Sequence, residues 1–167
     1  MTMDKIKAML GKTKYAVEEH LSVYINDEPL DLFLANKLND AGVYEGMVSA
    51  WLLDWHDEFN DFQEKDYVIK QSRLESSTKV LPILLCPDDF DFFCSVIVAE
   101  VIDNGDIVIW NRFGSDITPF SADEKELPPC IGKVVKWFTN ISPLIFERGE
   151  YLSCMNAFGL FEDLKEG

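Results

Sequence analysis

Three carboxylates crowd one short stretch, Pro87-Asp88-Asp89-Phe90-Asp91-Phe92-Phe93-Cys94, between two strand-like apolar runs. Sheet-end loops of this kind commonly carry binding residues. Carboxylate oxygens are the ligands that Mg2+ and Ca2+ demand, yet the spacing fits neither the Ca2+-loop pattern nor a phosphate-transfer motif, and no glycine helps the segment fold around an ion. Asp88, Asp89 and Asp91 therefore read as a partner-facing acidic loop or as turn caps. A second group surrounds His56 in Trp51-Leu52-Leu53-Asp54-Trp55-His56-Asp57-Glu58-Phe59. One histidine followed by two acids lacks the i, i+4 histidine pair of a zinc-hydrolase helix, and His20 is far away in sequence. The four cysteines, Cys86, Cys94, Cys130 and Cys154, contain no C-x-x-C pair, so they read as inert thiols with no metal framework. No metal or other cofactor is expected.

Glu100 stands apart, because strand alternation puts it among Val98, Ile102 and Ile109 on an apolar face. A carboxylate there needs a hydrogen-bonding or cationic partner, and burial would raise its pKa. The same alternation turns Arg112 to the opposite face and leaves Asn111 as the diagonal neighbour. No G-x-S-x-G, P-loop, G-x-G-x-x-G or Cys–His arrangement occurs, so no catalytic residue is assigned.

The charge is more telling than any motif. Thirty Asp and Glu face fifteen Lys and Arg, a formal net charge of -15. Residues 26–66 hold eleven acids against Lys37 and Lys65, and residues 88–126 hold ten against Arg112 and Lys125. These two blocks carry -9 and -8, and the rest of the chain is nearly neutral. Such a field attracts basic partners and repels polyanions, and no basic stripe exists to neutralise phosphates. Nucleic-acid binding is disfavoured, and the expected partner is a basic protein.

The elements that would position these acids belong to one domain over residues 1–167, long enough to bury a core without staples. Residues 3–10 have a weakly helical pattern stopped by Gly11; Ser22 to Ile25 reads as a strand, Asn26 to Pro29 as a turn and Asp31 to Leu38 as a helix. Over residues 48–62 the stripe Val48, Trp51, Leu52, Trp55, Phe59 and Phe62 predicts a helix. Asp54, Asp57, Glu58 and Asp61 fall off the stripe as an acidic face. Strands are predicted at Val80 to Cys86, Phe93 to Ile102 and Asp106 to Phe113, with Asn104-Gly105 as a type I′ turn that sets Asp103 opposite Asp106, Val101 opposite Val108 and Ala99 opposite Trp110. Both faces of that hairpin are largely apolar, so it should be covered on both sides. A second amphipathic helix is predicted over residues 130–141, a late strand at Leu144 to Phe146 and a turn at Glu147 to Glu150. The sum is an α+β fold, a mainly antiparallel sheet with helices packed against it. No window approaches a membrane span, and Met1-Thr2-Met3-Asp4-Lys5 lacks the apolar stretch of a secretory signal, which suggests a cytoplasmic protein.

The segments Val23-Tyr24-Ile25-Asn26-Asp27-Glu28-Pro29-Leu30-Asp31, Pro82-Ile83-Leu84-Leu85-Cys86-Pro87-Asp88-Asp89 and Trp110-Asn111-Arg112-Phe113-Gly114, in a small acidic chain with blocked charge, resemble the immunity proteins with which bacteria neutralise toxins. The resemblance is of general kind and carries over no functional residue. It implies an inhibitor, and the charge pattern makes Asp54, Asp57, Glu58, Asp61, Asp88, Asp89 and Asp91 the residues expected to engage a basic site on a toxin or nuclease. The alternative is a small metal-assisted enzyme using Glu100 or the Asp88, Asp89 and Asp91 group.

Overall fold

Antiparallel pairing organises the chain. The computed structural model describes residues 3–16, 18–52, 68–75, 78–86, 96–118 and 132–160. A three-stranded sheet is built from β1 (Ile6–Gly11), β2 (His20–Ile25) and β3 (Glu28–Pro29), in that order. Helices α1 (Leu30–Leu38) and α2 (Ala41–Tyr44) follow. A six-stranded sheet then runs β4 (Val48–Ser49), β5 (Thr78–Leu85), β6 (Val96–Asn104), β7 (Ile107–Asp116) and β8 (Val135–Trp137), with β9 (Leu144–Glu147) on the other half of β7. Helix α3 (Arg148–Ala157) closes the described chain. The fold is α+β, with helices packed against mainly antiparallel sheets. No helix among the described residues is long and apolar enough to cross a membrane.

Where a helix is expected over residues 3–10, the chain forms strand β1 from Ile6 to Gly11. Ile6, Ala8 and Leu10 alternate with Lys7 and Met9, and β2 offers all six β1 residues a partner, from Ile6 opposite Ile25 to Gly11 opposite His20. The N–H of Asp4 donates to Ile145 O at 2.7 Å, and its carboxylate accepts from Ile145 N at 2.9 Å, which joins the small sheet to β9. At the β2–β3 corner Asn26 (φ 51) and Asp27 (φ 70) both take positive φ, the signature of a type I′ turn. Asp31 sits in the first turn of α1 and Lys37 in the last, where the helix dipole favours each sign.

The helix expected from Val48 does not start there. Val48 and Ser49 pair with Leu85 and Leu84, and the N–H of Ala50 donates to Ile83 O at 3.0 Å, because the open edge of β5 satisfies those backbone groups. Trp51 is fully buried, with its indole N–H donating to Pro82 O at 3.0 Å. Residues 53–62 of the expected helix lie outside the described residues. Residues 135–137 of the second expected helix form β8 against Gly114–Asp116. Gly114 permits this, since a Cβ there would lie 2.4 Å from Val135 Cγ1 and 2.9 Å from Trp137 Cε3. The turn expected at Glu147 to Glu150 instead leads into α3.

The β6–β7 hairpin is real, but its register differs from the expected one. The two turn residues are Gly105 and Asp106, and only Gly105 has positive φ (75), so Asn104 pairs with Ile107 and Asp103 with Val108. Beyond Val101 opposite Trp110 the pairing skips one residue to Glu100 opposite Arg112 and Ala99 opposite Phe113. Asn111 is the extra residue of a β-bulge, which re-phases every later side chain of β7.

Trp110 and Phe113 consequently share the core face, with ring centroids 5.6 Å apart. Around Trp110 also gather Trp51, Phe146 and Tyr151, and its indole N–H donates to Tyr151 Oη at 3.2 Å. Burial pushes the Tyr151 phenol well above its usual range. Both faces of the hairpin are covered along its centre: Val98, Ala99, Val108 and Trp110 are inaccessible.

Two outcomes check this fold. Gly105→Val should cost about 1–2 kcal/mol in urea unfolding, because nothing crowds its Cβ and the backbone alone objects to a β-branched residue at positive φ; an unchanged midpoint would refute the turn. Tyr151→Phe should cost about 1–3 kcal/mol by leaving the buried Trp110 N–H without its acceptor, whereas a neutral change would show that another acceptor takes its place.

Candidate functional site

Asp54, Asp57, Glu58, Asp61, Asp88, Asp89 and Asp91 lie outside the described residues, as does His56. Strand ends of the larger sheet flank the segment that holds Asp88, Asp89 and Asp91. Leu85 pairs with Val96, Ile97 with Ser115 and Asp116 with Val135, so the strand ends that flank residues 87–95 and 119–131 stand side by side at one end of the larger sheet. Asp116 and Thr118 clamp the base of the second connection. The Asp116 carboxylate accepts from Gly132 N and from Thr118 Oγ1, each at 2.8 Å, while Thr118 Oγ1 accepts from Lys133 N at 3.2 Å and Val134 N at 3.0 Å. Gly132 (φ 83) lies against Val80. Ile117 and Val134, joined by a 2.9 Å backbone hydrogen bond at this sheet end, are 53% and 44% exposed.

The charge divides unevenly along the chain. Among the described residues, twelve Lys and Arg face fifteen Asp and Glu, a balance of -3. The other three Lys and fifteen Asp and Glu, a balance of -12, belong to residues 53–67, 87–95, 119–131 and 161–167. The scaffold is thus near neutral.

Glu100 has the partner that strand alternation denied it. The bulge at Asn111 rotates Arg112 onto the Glu100 face, where Arg112 Nη2 donates to Glu100 Oε2 at 3.0 Å and Asn111 Nδ2 to Oε1 at 2.8 Å. Desolvation would raise the Glu100 pKa, but these two hydrogen bonds and the guanidinium charge outweigh it and hold the carboxyl below its usual range. The Arg112 guanidinium lies 4.0 Å over the Trp137 ring, so the cluster ties β6, β7 and β8 together. A doubly hydrogen-bonded carboxylate held ionised is a poor general acid. It is a structural anchor.

A feature not singled out in the sequence lies between the small sheet and α1. A cavity of about 210 Å3 is lined by the β1–β2 connection, Ser22 and Tyr24 of β2, Asp31 of α1, and Glu45. It adjoins a compartment of about 10 Å3 that shares Thr13, Ser22 and Asp31 and ends at Ser49 and Leu84. Asp31 is buried, and its Oδ2 accepts from Gly46 N at 2.9 Å. Burial raises the Asp31 pKa against the help of the Gly46 and Leu32 N–H groups, and the Glu45 charge adds to the rise. Behind it His20, also buried, contacts Thr13 Oγ1 through Nε2 and Leu21 O through Nδ1, both at 2.9 Å. A neutral ring satisfies both by donating Nδ1–H to the carbonyl and accepting the Thr13 hydroxyl at Nε2. No sequence spacing announces this site, since Ser22 and Tyr24 lie on β2 and Asp31 on α1.

No group of three His, Cys, Asp or Glu arranged to hold a metal occurs among the described residues. Burial pushes the Cys154 thiol up to about 12. Compared with protein-family models, with curated proteins and with solved structures, the chain matches none.

Glu100→Gln should lower stability at neutral pH by about 0.5–1 kcal/mol, the scale of a partly exposed pair. Because the folded pKa is depressed, this contribution is present above the unfolded carboxylate range and disappears as pH falls through the folded pKa. Urea midpoints of wild type and variant should therefore converge toward acid; a gap that persisted at pH 2 would point to packing instead of charge.

Proposed function

We propose that this chain is an acidic protein-binding module of immunity type that occludes a basic site on a partner toxin or nuclease. The observation that carries the reading is the division of charge: a scaffold at -3 beside four segments at -12, two of which spring from one sheet end. Exposed Ile117 and Val134 at that end would supply an apolar centre, and the acids of residues 88–91 and 123–126 a charged rim. Interfaces of this kind take their affinity from the desolvated centre and their encounter rate and selectivity from the rim. A site built for phosphate offers the matching positive field. The toxin expected is a basic nuclease encoded beside this gene, and blocking its substrate cleft would inhibit it without chemistry.

The test is inhibition of that neighbouring nuclease. One equivalent of the wild-type chain should abolish activity, with affinity falling as salt rises, since exposed charges are screened beyond about 8 Å at physiological ionic strength. Reversing Asp88 and Asp89, or Asp57 and Glu58, to Lys should weaken inhibition at least about tenfold while leaving the circular dichroism and urea midpoint within about 0.5 kcal/mol of wild type. Variants that inhibit at the same dose and salt resistance would reduce the acid to a solubilising coat.

A further inference from the structure

The cavity between the small sheet and α1 has an electrostatic problem that the described chain does not solve. Lys12, Lys14, Asp31 and Glu45 line the same 210 Å3, two cations and two carboxylates, yet none of the four forms an ion pair among the described residues. Lys14 instead lies 5.4 Å from the centre of the Tyr15 ring. Asp31 is only 5% exposed, and its recorded donors are backbone N–H groups of Gly46, Leu32 and its own residue, so no cation answers its charge. A buried carboxylate without a counter-ion is costly and calls for a cation or a proton. The two lysines are exposed.

The size narrows the occupant. At about 30 Å3 per water the space corresponds to about seven waters, below the roughly 300–1,000 Å3 of pockets for drug-sized ligands. A small polar ligand on the scale of an amino acid matches that volume. The three hydroxyls of Thr13, Ser22 and Tyr24 add donors and acceptors along the wall. Thr13 is held by the buried His20, and Tyr24 Oη closes on Gly11, where a Cβ would lie 2.8 Å away. The polar wall is preorganised. The inner compartment, about 10 Å3 with Thr13, Ser22, Asp31 and Ser49 in its lining, is of the size and polarity for one bridging water.

We infer that this cavity is a binding site for a free α-amino acid, its ammonium group against Asp31 and its carboxylate between Lys12 and Lys14. One ligand would answer both unpaired signs at once, which a simple amine, a simple carboxylate or a neutral sugar does not. None of the cavity's lining residues is among those proposed to contact the partner, so the inference stands or falls independently of that reading.

The experiment is a 15N-HSQC titration of the full chain with each of the twenty amino acids up to about 10 mM, a ceiling that detects even millimolar affinity. At least one should bind saturably, with shifts centred on the amides of Lys12, Thr13, Ser22 and Gly46. The N-acetyl derivative and the amide of that amino acid should each bind at least tenfold more weakly, since each lacks one of the two charges. A dipeptide of the same residue should also bind more weakly, because its two charges are too far apart. Asp31→Asn keeps an acceptor for Gly46 N–H and should weaken binding at least tenfold. The Lys12→Ala/Lys14→Ala double variant alters only exposed side chains, should fold normally and should weaken binding similarly. It decides the matter if Asp31→Asn does not fold. Absence of saturable binding by all twenty, shifts centred elsewhere, undiminished binding of either blocked derivative, or undiminished binding by the lysine variant would each overturn the inference.

Discussion

The interior is arranged around the burial of one indole. Trp110 has no accessible surface, and its N–H must find an acceptor in a place that water does not reach. Tyr151 of α3 supplies it, so the last helix is tied to the middle of the larger sheet by a polar contact and by packing. Phe146 of β9 stacks on Tyr151 and meets Trp110 edge-on, and Trp51 closes the group from just beyond β4. Residues separated by a hundred positions thus depend on one hydrogen-bonded ring cluster. A second tie reinforces it from the hairpin tip: Arg148, the first residue of α3, pairs with the buried Asp103 carboxylate, and its backbone N–H donates to Asp106 O at 3.1 Å.

That cluster requires the bulge at Asn111. A regular strand would send Trp110 and Phe113 to opposite faces, and one of two large aromatics would lose its place in the core. The extra residue puts both inward and turns Arg112 outward, where Glu100 and Trp137 receive it. The same re-phasing sets Gly114 opposite Trp137, and the missing side chain at Gly114 makes room for β8. One irregularity therefore serves the core, the surface ion pair and the strand that carries one side of the proposed docking end.

The described residues are close to charge balance. Five ion pairs among the described residues engage Lys5, Lys7, Lys79, Arg112 and Arg148, five of the twelve Lys and Arg there, as internal ties at β1, β5, β7 and α3. The acidic surplus belongs to residues 53–67, 87–95, 119–131 and 161–167. The cavity beside α1 follows different rules, with both signs present and the acid buried.

Local signals determined a definite part of this protein. Strict apolar runs announced β5, β6 and β7, the acid-led segment after Pro29 announced α1, and the α+β class followed from their mixture. These hold because backbone pairing and burial of a continuous apolar run point the same way whatever the rest of the chain does. Composition likewise determined the acidic field and located its blocks. Tertiary structure decided the rest. Ile6 to Gly11, Val48 to Ser49 and Val135 to Trp137 are short apolar stretches compatible with either period, and each became a strand because a neighbouring edge offered hydrogen bonds that a helix there would have left unused. The fate of Glu100 rested on a one-residue bulge that no periodicity displays. The cavity at Asp31 was equally illegible, since Thr13, Ser22, Asp31 and Glu45 come together only when β2 and α1 pack; sequence spacing records the order of residues along the chain, not which of them share a wall.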